Sequence, residues 1–362
     1  MQSKYNIQIT RCDRSGKDQV DFDHLVFGKY FSDHMFVADF VDGEWKDLRI
    51  EPLANFSMHP ATMAIHYGQS IFEGMKASRT SDGQVLLFRP ELHARRMNTS
   101  ARRLCMQEIP EELFLEGLQA LLRVDADWIP EKEGSSLYVR PTMYATDAHV
   151  GVRPSESYRF FIITSPVGAY YSKPLRLRVE NEYVRAVRGG VGEAKAAGNY
   201  AASLLASVKA MEAGYDQVLW MDGIEFKYIQ EVGTMNLFFI IDGTIVTPAT
   251  DGAILKGITR HSLLEYFREK GYAVEERPLT IDELVAAYEA GKLEDAFGAG
   301  TAAVISPISE IAYGDVLIKL PPVESRTISQ EAKSEIEGLR SGRIHDHRGW
   351  IVPVGIDVPM GV

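Results

Sequence analysis

Lys195 lies in the run Gly190-Val191-Gly192-Glu193-Ala194-Lys195-Ala196-Ala197-Gly198-Asn199-Tyr200, one amine among small residues with a phenol following at Tyr200. A carboxylate comes later, in Glu231-Val232-Gly233-Thr234-Met235-Asn236. A protonated amine is a poor nucleophile; desolvation or a neighbouring positive charge lowers its pKa, by up to roughly 3–5 units when it is fully buried. Most lysines are solvated surface charges with no chemical role. Lys195 stands above that reading because of its company: Gly190, Gly192 and Gly198 let backbone or ligand approach closely, and Tyr200 offers a hydroxyl within reach.

Two segments could hold an anion. Gly257-Ile258-Thr259 opens a helix, and free amides at a helix start, aided by the dipole, bind phosphate. Gly298-Ala299-Gly300-Thr301-Ala302-Ala303 matches the letter of a dinucleotide fingerprint, but Val304-Ile305-Ser306-Pro307 follows it, and Pro307 would interrupt the helix that fingerprint needs. Its glycines fit backbone amides approaching an anionic group. Arg95-Arg96 and Arg102-Arg103 fall on one helical face, mostly solvated, with one available to an anion. His345-Asp346-His347 has no further ligands at metal-like spacing and reads as polar tail, so no metal is expected.

These groups need elements to hold them. Residues 85–88 read as a strand after Asp82-Gly83, and 91–106 as a helix after Pro90. Residues 136–140 and 159–164 are further strands, separated by a polar loop at 146–156. Pro166, Gly168 and Pro174 punctuate a domain connection at 165–174. Residues 175–179 alternate like a half-buried strand, and 200–213, with apolar residues at 201, 204, 205 and 208 before Gly214, predict one amphipathic helix. Strands follow at 216–221 and 236–241, with hairpins suggested by Asp222-Gly223 and Asp242-Gly243. Helices at 259–270 and 281–290 end at Gly271 and Gly291. The fold class is α+β, with two mixed α/β domains: 1–164, smaller and N-terminal, and 175–362, larger.

The whole chain bounds the function. Its 362 residues favour two domains, and 45% apolar with 25% charged residues is ordinary globular composition. A net charge of −11 opposes general binding of nucleic acid or anionic membranes. Cys12 and Cys105, far apart in sequence, are expected as reduced thiols. The start Met1-Gln2-Ser3-Lys4-Tyr5-Asn6-Ile7 has neither an apolar signal core nor transit-peptide character, and no run suggests a membrane span, so a cytoplasmic protein is expected.

Amine, phenol, carboxylate and two anion loops together fit a pyridoxal 5′-phosphate site, in which a carboxylate stabilises the protonated ring nitrogen of the electron sink. With His66-Tyr67-Gly68, Phe72-Glu73-Gly74-Met75-Lys76-Ala77, Leu87-Phe88-Arg89-Pro90, Ser136-Leu137-Tyr138-Val139-Arg140-Pro141, Gln217-Val218-Leu219-Trp220 and Gly300-Thr301-Ala302 added in order, the chain resembles the branched-chain amino acid aminotransferases of fold type IV, from Leu25 to about Ile311. Its long N-terminal portion is similar to the larger, eukaryote-like subgroup.

The resemblance implies a cofactor between the two domains. It implies Lys195 as Schiff-base lysine and proton shuttle, Tyr200 on the ring oxygen and Glu231 on the ring nitrogen. Arg96, the amides of Ile258 and Thr259, and Thr301 would hold the phosphate, with Thr234 beside cofactor and substrate. Tyr67 and the amides of Thr301 and Ala302 would take the substrate carboxylate. Phe27, Phe72, Tyr138 and Tyr170, with Val150 and Val152 from a neighbouring subunit, would form the side-chain pocket, and Arg140 with Tyr138 would receive the second carboxylate of glutamate. Leucine, isoleucine or valine would pass their amino group to 2-oxoglutarate in a ping-pong cycle, in at least a dimer, taken as a homodimer. The Cys-x-x-Cys thiol switch of some members is absent, since Ala303 and Ser306 stand there. A lyase or D-amino acid aminotransferase on the same fold would share Lys195 and Glu231; a non-catalytic cofactor-binding protein would not need the complete set.

Overall fold

Side chains alternate across an extended chain, and the strand Tyr158–Val167 shows it: Tyr158, Phe160, Ile162 and Thr164 turn inward while Arg159, Phe161 and Ile163 stay partly uncovered. The computed structural model describes residues 4–168 and 173–355, which divide into two units. The first takes residues 4–168, Ala194–Ala197 and 338–355; the second takes 173–193 and 198–337.

The first unit is built on a largely antiparallel sheet. Its strands are β1 (Gln8–Ile9), β2 (His34–Val41), β3 (Glu44–Pro52), β4 (Ser70–Phe72), β5 (Met75–Arg79), β6 (Val85–Phe88), β7 (Ser136–Ala145) and β8 (Tyr158–Val167). The order is β1-β3-β2-β8-β7-β5-β6, β4 pairs with β7, and the C-terminal strand Ile351–Val354 adds antiparallel to β6. Helices Pro90–Arg103 and Glu111–Val124 supply the apolar cover; Phe114 of the second meets Phe160 of β8, which meets Phe36 of β2, with ring centroids 5.6 and 6.1 Å apart.

The second unit carries β9 (Leu175–Val179), β10 (Gln217–Met221), β11 (Ile229–Val232), β12 (Met235–Ile241), β13 (Thr244–Thr247), β14 (Val274–Glu276), β15 (Leu293–Gly300), β16 (Val304–Tyr313) and β17 (Val316–Lys319). Six of them close on themselves, β11-β10-β9-β16-β15-β12 and back to β11, because β11 pairs with β12 as well as with β10. A closed ring leaves no edge among those six and fills with side chains such as Leu177, Leu219, Val232 and Ile308. Helices Ile258–Glu269 and Ile281–Glu289 end before Gly271 (φ 79°) and Gly291 (φ 68°), as their glycines predict.

Several expectations need correction. Strand β8 runs on through Pro166 and Val167 rather than ending at 164: Leu137 opposes Pro166 and Ser136 opposes Val167. Beyond Ile162 it has lost β2 as a neighbour, and proline is tolerated where only one side is paired. Residues 338–355, expected with the second domain, pack in the first, since Ile351–Val354 pairs with β6 and Arg89 N–H donates to Trp350 O at 2.7 Å. The helix expected over 200–213 is two helices, Ala197–Ala202 and Leu204–Glu212, meeting at Ser203, whose hydroxyl bonds back to Tyr200 O at 2.8 Å. Its covered face is Ala206 and Ala210 against Val218 and Trp220; Leu204, Leu205, Val208 and Met211 face outward.

Asp242 and Gly243 both have positive φ (51° and 72°), the geometry of a two-residue hairpin turn. Asp222-Gly223 does not repeat it. Met221 opposes Ile229, and the Asp222 carboxylate gathers the loop 222–228 by accepting the N–H groups of Ile224, Glu225, Lys227 and Tyr228. Partial burial pulls that carboxyl up, but the amides outweigh it and hold it below the ordinary range. Asp346 similarly accepts the N–H groups of Arg348 and Ile351, which is a structural use of that polar tail. Among the described residues no helix is long and apolar enough to cross a membrane.

Candidate active site

Lys195 belongs to the first unit with Ala194, Ala196 and Ala197, although the residues flanking this short run, Glu193 and Gly198, belong to the second. The Phe72 N–H donates to Lys195 O at 3.0 Å, Ile71 bridges Ala196 antiparallel, and the Lys195 N–H donates at 2.9 Å to Ser100 Oγ on helix Pro90–Arg103. The backbone on both sides of the amine is therefore clamped to β4 and to that helix. Nζ stands 5.0 Å from the centroid of the Phe72 ring.

The Arg140 guanidinium lies 4.4 Å from the same ring and 5.2 Å from that of Tyr138, and its Nη2 donates to Tyr138 Oη at 2.9 Å. Phe27 meets Tyr138 edge-on, centroids 5.0 Å apart. Phe27, Phe72, Tyr138, Arg140 and Lys195 thus form one cluster. Gly74 is what admits Tyr138: a methyl at that position would overlap Tyr138 Oη. Tyr67 ends the short helix Met63–Tyr67, exposed beside the His66 ring. Val150 and Val152 are 68% and 88% exposed, so within one chain they belong to no core. Tyr170 lies outside the described residues.

Arg96 is held in a buried ion network that its sequence position does not disclose. Nε and Nη2 donate to Oε1 and Oε2 of Glu73 at 2.7 and 2.8 Å, a bidentate pair, and His93 Nδ1 bonds Oε2 at 2.7 Å. Burial drives the Glu73 carboxyl upward, yet the charge and hydrogen bonds of Arg96, with those of His93, hold it far below the ordinary carboxylate range. Burial also lowers His93, as do Arg96 and Lys195, against the opposing pull of Glu73. Arg95 and Arg102, by contrast, make exposed pairs with Glu111 and Glu108.

The second unit holds the rest. Strands β11 and β12 are joined by Gly233 (φ 54°) and Thr234, so Val232 opposes Met235 and Glu231 opposes Asn236. Asn236 in turn opposes Ala299 of β15, next to the Gly300 that leads into the Thr301-Ala302-Ala303 turn. Glu231 is buried; Oε1 accepts from Asn236 Nδ2 and from Leu255 N–H, both at 3.1 Å, and Oε2 lies 2.8 Å from Arg185 Nε, an ion pair out of line for a hydrogen bond. Helix Ile258–Glu269 starts after Gly257 with Ile258 and Thr259 buried and no acidic residue in its first turn, which leaves its positive end uncompensated from within. Thr301 and Ala302 are half-buried in the turn between β15 and β16, strand-turn-strand as Pro307 requires. Tyr200 is half-buried on Ala197–Ala202, and Thr234 is exposed.

Sequence reasoning assigned no role to Glu73, His93, Ser100, Arg185 or Asn236. Glu73 and Asn236 had a local signal: a carboxylate between Phe72 and Gly74 in an apolar stretch, and an amide reached from Glu231 through a two-residue turn. Arg185, in the irregular segment after β9, had none.

The first unit thus holds an amine whose backbone is clamped and whose Nζ lies over the Phe72 ring, and the second holds a buried carboxylate and a helix start with no acidic residue in its first turn. The family model for amino-transferase class IV matches residues 70–311, and the chain belongs to that family. The chain is 50% identical over 343 residues to a probable branched-chain-amino-acid aminotransferase of Staphylococcus epidermidis, covering 93% of this chain and 96% of that one. It is equally similar, 50% over 342 residues, to branched-chain-amino-acid aminotransferase 2 of Bacillus subtilis, with 93% and 94% covered. The solved branched-chain amino acid aminotransferase from Escherichia coli superposes with a TM-score of 0.70 at 26% identity, covering 88% of this chain and 98% of that one. Enzymes of this class use pyridoxal 5′-phosphate, and another solved branched-chain aminotransferase that superposes on the chain, with a TM-score of 0.71, is complexed with N-(5′-phosphopyridoxyl)-L-glutamate.

Proposed function

We propose that this protein transfers the amino group of L-leucine, L-isoleucine or L-valine to 2-oxoglutarate by a ping-pong cycle with pyridoxal 5′-phosphate. The observation that carries the reading is the cluster around Lys195: an amine and a guanidinium on the one Phe72 ring, with Tyr138 and Phe27 beside them. The names of relatives at 50% identity support it. The donor set fits the cofactor: a clamped amine, a buried carboxylate with an arginine beside it, and a helix start free of acidic residues.

When bound, the cofactor supplies the electron sink that lets the Cα–H bond of the amino acid ionise. Lys195 would hold the cofactor, and its amine would move the proton between Cα and C4′ as general base and then acid. Glu231 would keep the ring nitrogen protonated, Tyr200 would bind the ring oxygen, and Thr234 would lie alongside. Arg96, the amides of Ile258 and Thr259, and Thr301 would hold the phosphate. Tyr67 and the amides of Thr301 and Ala302 take the α-carboxylate.

Phe27, Phe72, Tyr138 and Tyr170 exclude water from an aliphatic side chain, which gains about 25 cal/mol per Å² of apolar surface buried. A second copy of the chain contributes Val150 and Val152, whose exposure in the single chain supports a homodimer. Arg140, held by Tyr138, receives the distal carboxylate of glutamate. Borohydride trapping followed by peptide mapping tests the reading together with a coupled assay of the purified protein against a panel of amino acids with 2-oxoglutarate. The label is expected on Lys195 and turnover with the branched aliphatic amino acids; a label on another lysine, or a preference outside that group, overturns it.

A further inference from the structure

The two-residue turn at Gly233-Thr234 sets Glu231 and Asn236 directly across from each other, and opposed residues of a hairpin share one face. Asn236 is 5% exposed and spends both ends of its amide on neighbours. Nδ2 donates to Glu231 Oε1 at 3.1 Å and to Leu255 O at 2.9 Å. Leu255 N–H then donates to the same Glu231 oxygen at 3.1 Å, closing a small ring of hydrogen bonds among three residues. At the other end, Oδ1 sits against the Cα of Gly257, close enough that a methyl built there would overlap it. Gly257 is the residue that opens helix Ile258–Glu269, at φ −66° and ψ 133°, an extended conformation any residue adopts. Space, not backbone strain, is what demands glycine there. Asn236 cannot swing aside cheaply: rotating its amide would turn an oxygen toward the Glu231 carboxylate and leave Leu255 O without its donor.

We infer that Asn236 is a positioning residue that couples the carboxylate of Glu231 to the start of helix Ile258–Glu269, so that the acid serving the ring nitrogen and the amides serving the phosphate are set by one side chain. The inference rests on the roles proposed above for Glu231, Ile258 and Thr259. It explains why Gly257 has no side chain, why the segment ending at Leu255 and Gly257 lies against the hairpin, and how a buried carboxylate keeps its orientation with an out-of-line arginine as its ion partner.

The test is a double-mutant cycle on the full chain with Asn236→Ala, Gly257→Ala and both together, plus Asn236→Asp. Cofactor-free protein is titrated with pyridoxal 5′-phosphate by absorbance. Asn236→Ala is expected to weaken binding by about ten- to a hundredfold, the range for one hydrogen bond lost to a charged acceptor. Gly257→Ala alone is expected to weaken it comparably, by pushing Asn236 off Glu231, and to cost less than about threefold in the Asn236→Ala background, because the obstructing oxygen is gone. Asn236→Asp puts a second carboxylate beside Glu231, and the absorbance of the bound cofactor should change with pH at a value about one unit or more higher than in the unmodified protein.

A loss within twofold for Asn236→Ala, a Gly257→Ala effect equally large in both backgrounds, or an unmoved pH profile for Asn236→Asp overturns the inference. Trapping of the unmodified protein separates this from the function: a label away from Lys195 overturns the proposed function, and the Asn236–Gly257 coupling is then decided by the same cycle read in the Tm of cofactor-free protein.

Discussion

Glu73→Gln tests how Arg96 is held. The substitution keeps shape and volume, but it removes the counter-charge from a guanidinium that donates to both carboxylate oxygens, and it sets an N–H against one of those donors. Glu73 is fully buried and Arg96 is 9% exposed, so water screens little of the loss. Removing one partner of a buried pair costs about 3–5 kcal/mol, because the survivor is left buried and uncompensated. The assay is urea unfolding of cofactor-free protein, where the midpoint should fall with the slope unchanged. The pH dependence sharpens it. A carboxyl depressed in the folded state contributes stability that is complete above its unfolded value of about 4.3 and is lost as pH falls through the lower folded value. The gap between unmodified protein and variant should therefore hold steady from pH 7 to about 5 and close in stronger acid. A gap below about 1 kcal/mol at neutral pH, or one that persists unchanged in acid, would refute the view that Glu73 is the ionised anchor of Arg96.

Burial is the largest influence lowering His93 below its ordinary range, so the folded state loses stability as pH falls below the unfolded value of about 6.5, by at most about 1.4 kcal/mol per pH unit. His93→Asn, which keeps a donor for Glu73 but cannot titrate, should flatten the stability profile between pH 6.5 and 5; an unchanged slope counts against it. Gly74→Ala should cost about 1–3 kcal/mol through overlap with Tyr138 Oη, and adding Tyr138→Phe should recover most of that loss in thermal unfolding; no recovery means the clash lies elsewhere. Arg140→Ala should lower kcat/KM for glutamate more than for leucine in steady-state assays, and equal losses would remove Arg140 from carboxylate recognition.

What could be read in advance follows the range of the forces involved. Leu175–Val179 alternates and does fold with Leu175, Leu177 and Val179 inward; Gly271 and Gly291 close their helices; Pro307 keeps the Gly298–Ala303 segment out of a dinucleotide fold. Each of these is decided within a few residues. The helix start after Gly257 was legible for the same reason, and Lys195 and Glu231 were singled out by the small or specific residues of their own segments. Partners chosen across long separations could not be matched to each other from local sequence. The counter-ion of Arg96 is Glu73, the strand beside β6 comes from residues 351–354, and the apolar face of Leu204–Glu212 points away from its own core. An apolar stripe at helical spacing reports that something covers it, and says nothing about which chain does so.

The membership of Ala194–Ala197 in the first unit, with 193 and 198 in the second, makes the two units interleaved in sequence. No single cut of the chain can yield two complete halves. A fragment ending near residue 168 lacks the amine that its own β4 and helix Pro90–Arg103 hold in place, and a fragment beginning near 173 carries that amine away from both. For protein engineering, the units are therefore not modules to be exchanged by joining ends. A transplanted first unit would have to bring residues 194–197 and the C-terminal strand with it, as three separate pieces of one gene.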